Sequence, residues 1–129
     1  MINRQNYDLV MKFLAYKKDF DNSKSSTIKR DRSCLLHLLR WADETSFSEA
    51  HTILPTFVAY LNDEVDLSKS TIKKILITTR ACMRWCLENH PSRFGSQTTG
   101  SWIKSLAPKR VKIKRKRPII RQPYKLAEV

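Results

Sequence analysis

Ser25-Ser26-Thr27-Ile28-Lys29-Arg30 and Ser68-Lys69-Ser70-Thr71-Ile72-Lys73 open two segments of this chain in the same way. In each, hydroxyls and cations surround an isoleucine that begins an apolar stripe. A serine or threonine at a helix start accepts hydrogen bonds from the first free backbone N–H groups. The same helix end carries a partial positive charge and binds phosphate. Two such starts in a chain of net charge +13 fit a grip on a phosphate backbone. Ordinary capping explains the same residues, and the repeat alone does not separate the two readings.

Other chemistry finds less support. Cys34, Cys82 and Cys86 are odd in number, and Cys82 and Cys86 lie one helical turn apart on an apolar stretch. Their setting predicts buried, reduced thiols. A zinc site needs about four ligands, and there is no Cys-x-x-Cys pair. No Gly-rich phosphate loop or nucleophile–base constellation stands out, so no cofactor is expected and an enzyme acting alone is the weakest reading. Residues 108–129 hold nine cations, including Lys109, Arg110, Lys112, Lys114, Arg115, Lys116 and Arg117, against the one anion Glu128. Such a run repels itself and does not fold alone. It is a nucleic-acid strap or a solvated tail, and the basic faces of the body favour the strap.

The elements that must position these groups are helical. Of 129 residues 41% are hydrophobic and only two are glycine, and strand-like alternation is scarce. The predicted fold is all-α: a compact four-helix domain, a short fifth helix and a basic C-terminal linker, with the domain boundary at 107/108. No apolar run approaches the roughly 20 residues of a membrane span, and the N-terminus lacks a signal-peptide core. A cytoplasmic, nucleoid-associated protein is expected.

Helix 1 is predicted from about Asn6 to Phe20, with Tyr7, Val10, Met11 and Leu14 as its stripe and Phe13 and Phe20 adding apolar area. Asp21-Asn22-Ser23 stops it. Helix 2 runs from about Ser26 to Glu44, burying Ile28, Leu35, Leu38, Leu39 and Ala42 and exposing Lys29, Arg30, Ser33, His37 and Arg40. Trp41 is expected at a helix junction. Thr45 to Leu54 connects to helix 3, from Pro55 at a first helical position to Glu64. Its acidic end, Asp63, Glu64 and Asp66, should face away from a polyanion. Helix 4 extends from about Ser70 to Asn89, capped by Ser68 or Ser70. Ile72, Ile75, Leu76, Thr79, Cys82, Met83, Cys86 and Leu87 are its buried side, while Lys73, Ile77, Arg80 and Arg84 share another face. Pro91 ends it. A helix from about Thr99 to Leu106 follows, and Pro108 closes it.

The segment Leu54-Pro55 through Arg80, with Val58-Ala59-Tyr60-Leu61, the start Ser68-Lys69-Ser70-Thr71-Ile72, then Ile75-Leu76 and the polar face Ile77 to Arg84, resembles the N-terminal core-binding (SAM-like) domain of tyrosine recombinases, the phage-integrase family. The short fifth helix, the basic linker and Lys116-Arg117-Pro118-Ile119-Ile120 look like the route into that family's catalytic domain. The resemblance spans about residues 7–121. Its motifs are loose patterns of helix starts and apolar spacing, taken in order.

The resemblance implies one half of a C-shaped clamp around duplex DNA during integration or excision. The parent would be a recombinase that is tetrameric on paired sites, and this fragment would be monomeric and not itself an enzyme. His37 and Arg40 match the letters of the family's His-x-x-Arg segment but lie in helix 2, and Tyr124 lies in the linker, so no catalytic role carries over. The implied contacts are Ser26, Thr27, Lys29, Arg30 and Ser33 from helix 2, and Lys69, Ser70, Thr71, Lys73, Lys74, Arg80 and Arg84 from helix 4. Lys109 to Arg117 would be the strap. Three rivals remain: a stand-alone helical DNA-binding regulator, a basic RNA-associated protein, and a protein-interaction helical module whose tail binds an acidic partner. The first needs a tight helix-turn-helix, which the gap Thr45 to Leu54 exceeds. The second needs exposed aromatics among cations, whereas the aromatics here mostly follow core spacing.

Overall fold

In the computed structural model, which describes residues 2–20, 22–94 and 98–106, the fold is all-α. Five helices, α1 (Arg4–Asp19), α2 (Ser25–Ala42), α3 (Phe57–Asp63), α4 (Lys69–Asn89) and α5 (Thr98–Ser105), are joined by 3-10 segments at Phe47–Thr52 and Pro91–Arg93. No strand occurs among the described residues. Among them also, no helix is long and apolar enough to cross a membrane.

The two repeated starts occupy the same helical register. Thr27-Ile28 and Thr71-Ile72 each follow their N-cap by three and four residues, the caps being Lys24 and Ser68. Ile28 N donates to Lys24 O and Ile72 N to Ser68 O, each at 3.0 Å. The chemistry of the caps differs. Ser68 Oγ accepts from Thr71 N at 3.2 Å, whereas Lys24 makes no side-chain cap. The expectation of two equivalent caps therefore needs correcting, because in the aligned position a cation replaces the hydroxyl. Ser68→Ala is expected to lower stability by about 1 kcal/mol, and Lys24→Ser to raise it by a few tenths to about 1 kcal/mol. Paired thermal melts check both.

α1 runs antiparallel to its neighbours. Its start is tied to the end of α2: Asn3 N donates to Asp43 O (2.8 Å) and Asn3 Nδ2 to Glu44 O (3.0 Å). Buried Asn6 completes the tie, its Nδ2 donating to Thr45 O (2.8 Å) and its Oδ1 accepting from Phe47 N (2.9 Å). Further along α1, Lys17 pairs with Asp31 of α2. Against α4, Phe13 and Tyr16 meet Trp85 at 5.8 and 5.4 Å between ring centroids. Asp8 pairs with Arg93, just past the end of α4, at 3.3 Å. Both α2 and α4 thus oppose α1 and run in the same sense as each other.

The core lies between α1, α2 and α4. The α4 stripe Ile72, Ile75, Leu76, Thr79, Cys82, Met83 and Cys86 is buried as expected, as are Leu35, Leu38, Leu39 and Ala42 of α2, while Leu87 and Ile28 at the stripe ends are only half-buried. All three thiols are free and buried. Burial pushes Cys82 well above the usual thiol range, with Cys86 beside it adding to the shift. Trp41 sits at a junction. It stacks on Trp102 of α5 (5.8 Å, 3° between planes), tilts onto Phe57 of α3 (5.2 Å), and its Nε1–H donates to Pro55 O at 2.8 Å.

Three expectations fail here. Pro55 is not in the helix: α3 starts two residues later, because the Thr56 hydroxyl caps it by accepting from Ala59 N at 3.3 Å. Phe20 adds nothing to the core. α1 ends at Asp19, and Phe20 lies beyond it, 80% exposed. Tyr7, one turn past the Asn3 cap, is also exposed. The helix ends just ahead of the expected stop, and Asn22 takes the left-handed backbone (φ 52°) that asparagine tolerates.

Candidate nucleic-acid interface

Because α2 and α4 run in the same sense, their N-termini lie at one end of the bundle. Thr78 lies close to Cys34 across the α2–α4 seam, and each residue lies ten positions past its helix cap. Burial raises the Cys34 thiol pKa, and the nearby cations Arg30 and Lys74 oppose that shift. Neither α2 nor α4 has an acidic residue in its first turn. The positive ends of both helices are therefore not neutralised locally.

On α2, Ser26, Lys29, Arg30 and Ser33 are exposed and Thr27 is half-buried. Ser33 Oγ is turned back onto Lys29 O at 3.2 Å. His37, expected on the exposed face, is half-buried; desolvation lowers its pKa and Arg40 adds to the effect. Asp31 lies among these cations in sequence but is only 4% exposed and turned inward to Lys17. It therefore leaves the outer surface of α2 cationic.

On α4, Lys69, Ser70, Lys73, Lys74 and Arg84 are exposed, and Thr71 is half-buried beneath the Ser68 hydroxyl at 2.8 Å. The face Lys73, Ile77, Arg80, Arg84 is divided along its length. Its first half is open, with Ile77 56% exposed. Its second half borders α5: Arg80 is half-buried and its Nε is sealed from solvent without a hydrogen-bond partner. Arg80 and Arg84 line a cavity with Gly100, Ile103 and Lys104 of α5. The exposed Asp63, Glu64 and Asp66 lead directly into the Ser68 cap. A polyanion on α4 would therefore lie over Lys73, Lys74 and Ile77 rather than over the chain entering the helix. Lys109, Arg110, Lys112, Lys114, Arg115, Lys116 and Arg117 lie outside the described residues.

Two features escape sequence reasoning. Lys104 joins Arg80 and Arg84 only because α5 docks on α4. Tyr16, Phe20 and Trp85 form an aromatic ledge, with Tyr16 stacked on Phe20 at 5.8 Å and 27°. Lys12, Lys17 and Arg84 line the grooves beside it. The i, i+4 spacing of Tyr16 and Phe20, next to Lys17 and Lys18, was the available signal.

Among the described residues no cluster of His, Cys, Asp or Glu could hold a metal ion. No family model, curated protein or solved structure matches the chain.

Proposed function

We propose that this chain binds double-stranded DNA through the start of α2 and the first half of α4, as the clamp half of a tyrosine recombinase would. One observation carries the reading: two parallel helices begin at one end of the bundle without an acid in the first turn, with Lys24, Lys29 and Arg30 around the start of α2 and Lys69, Lys73 and Lys74 around that of α4. Backbone amides and hydroxyls at these ends suit phosphate oxygens, and the lysines and arginines add affinity without sequence information. Lys73 lies on the open half of α4, where a long side chain reaches a base edge; a good bidentate base contact is worth about 1–3 kcal/mol of discrimination. Half a clamp gives weak specificity, so most of the affinity of the isolated chain is electrostatic.

The test is fluorescence anisotropy with a short duplex across a salt series, with single-stranded DNA and duplex RNA alongside. With about six phosphates neutralised, log K falls against log salt with a slope near −5. A flat salt dependence, or equal affinity for all three polymers, would remove the duplex reading.

The aromatic ledge favours a second reading. Tyr16, Phe20 and Trp85 offer stacking faces for unpaired bases, in grooves lined by Lys12, Lys17 and Arg84 and by Asp19 and Glu88. Tighter binding of single strands, weakened by Phe20→Ala, would select it.

A further inference from the structure

The cavity between α4 and α5 lies apart from the helix ends assigned to the duplex. Its volume is about 210 Å3, lined by Arg80, Arg84 and Leu87 on one side and Gly100, Ile103 and Lys104 on the other. A single water needs only about 10–15 Å3 by this kind of measure, so the space is more than a packing gap. It is smaller than the roughly 300–1,000 Å3 of an organic-ligand pocket.

Of the six described residues that line it, three are cationic and none is acidic. Among the described residues, none of the three cations forms an ion pair with a carboxylate. Like charges converging without a counter-charge repel one another, and an anion between them reverses the sign of that interaction. Arg80 contributes a second observation: its Nε–H has no acceptor and is sealed even from water, so the guanidinium must turn outward to meet an ion in the cavity. In a side-on guanidinium fork this N–H binds one of two adjacent oxygens, the geometry that phosphate matches.

Gly100 is a third. Glycine weakens a helix relative to alanine, and here its backbone needs no special conformation, because no described glycine has positive φ. A Cβ at this position would meet nothing within 4 Å. Packing does not require the glycine, and its effect is to leave the α5 wall of the cavity bare. Leu87 and Ile103 supply an apolar wall, which lowers the local dielectric and strengthens the charge interactions beside it.

We propose that this cavity is a phosphate-binding site in which Arg80, Arg84 and Lys104 hold one phosphate group. The group is either that of a free phosphate or small phosphate ester, or a single backbone phosphate of a nucleic acid. The site stands independently of the duplex interface on α2 and α4.

The experiment is an NMR titration of the full chain with inorganic phosphate at constant ionic strength, following the arginine Nε–H resonances. Saturable shifts at Arg80 and Arg84, with Kd on the order of 1 mM, are expected, at least tenfold weaker in Lys104→Gln. Lys104 is exposed, so that variant retains the fold. Gly100→Leu fills the cavity without removing charge, and it should abolish the shifts while the chain still melts cooperatively. Lys73→Gln should leave them unchanged. Shifts reproduced equally by chloride, or persisting in Gly100→Leu, overturn the site. A second titration with a duplex already bound identifies the source. Competition points to a backbone phosphate and undisturbed binding to a small phosphate, and each upholds the site. Loss of duplex binding with phosphate binding intact would remove the duplex reading alone.

Discussion

A Lys73→Glu, Lys74→Glu double variant is expected to bind a short duplex on the order of a hundredfold more weakly at about 0.1 M salt. Both side chains are exposed on the open half of α4, and each phosphate contact releases about 0.9 counterion. Two lost contacts reduce the magnitude of the salt slope by about two units and the affinity by about tenfold each at that salt concentration. Melting temperature should change little, because neither side chain is buried and neither forms an ion pair among the described residues. Anisotropy measured at several salt concentrations separates the outcomes. An unchanged slope would show that the duplex does not touch α4 and that binding resides elsewhere in the chain. Arg80 is a poor site for charge reversal, because its sealed guanidinium nitrogen would make folding and binding defects inseparable.

The second large effect is on stability. Lys17→Met should destabilise the domain by about 3 kcal/mol, the lower end of the range for breaking a buried ion pair. Asp31 would remain 4% exposed with its charge unpaired. The lower end applies because the Lys17 side chain is 21% exposed and water can reach the gap. At roughly 4–8 °C per kcal/mol for a domain of this size, the melting temperature should fall by more than 10 °C. Adding Asp31→Leu should recover most of the loss, because an apolar pair removes the desolvation cost altogether. A double variant as unstable as Lys17→Met would mean that the Asp31 carboxylate has a further role in the core. The orientation of Asp31 also bears on function: a carboxylate held inward by Lys17 does not screen Arg30 on the outer surface of α2.

The helices were legible in the sequence because their apolar residues recur at helical spacing and their ends carry local signals. The buried stripe of α4 and the stop after α1 needed nothing beyond the chain itself. Errors arose where two local signals competed. Pro55 suits a first helical position, but Thr56 beside it offers a hydroxyl cap, and the cap set the boundary of α3. Phe20 keeps helical spacing from Tyr16, but the helix ends at Asp19. The candidate site was legible only as a set of cations. Spacing placed Lys73, Ile77, Arg80 and Arg84 on one face, yet no periodicity tells where α5 docks, and docking divides that face in two. The convergence of Lys104 on two arginines and the Asn6 tie are tertiary facts for the same reason.

The Asn6 tie also constrains the order in which the molecule can be made. Asn3 and Asn6 find their partners 39 to 41 residues downstream, and Asp8 finds Arg93 85 residues away. Chains emerge from synthesis N-terminal end first, so α1 is made well before the residues that tie its start. An isolated helix of 16 residues is marginal in water. α1 therefore waits as a half-formed amphipathic segment until residue 47 arrives, and its far anchor waits until residue 93. α1 is thus made well before the residues that fasten its start and middle are complete.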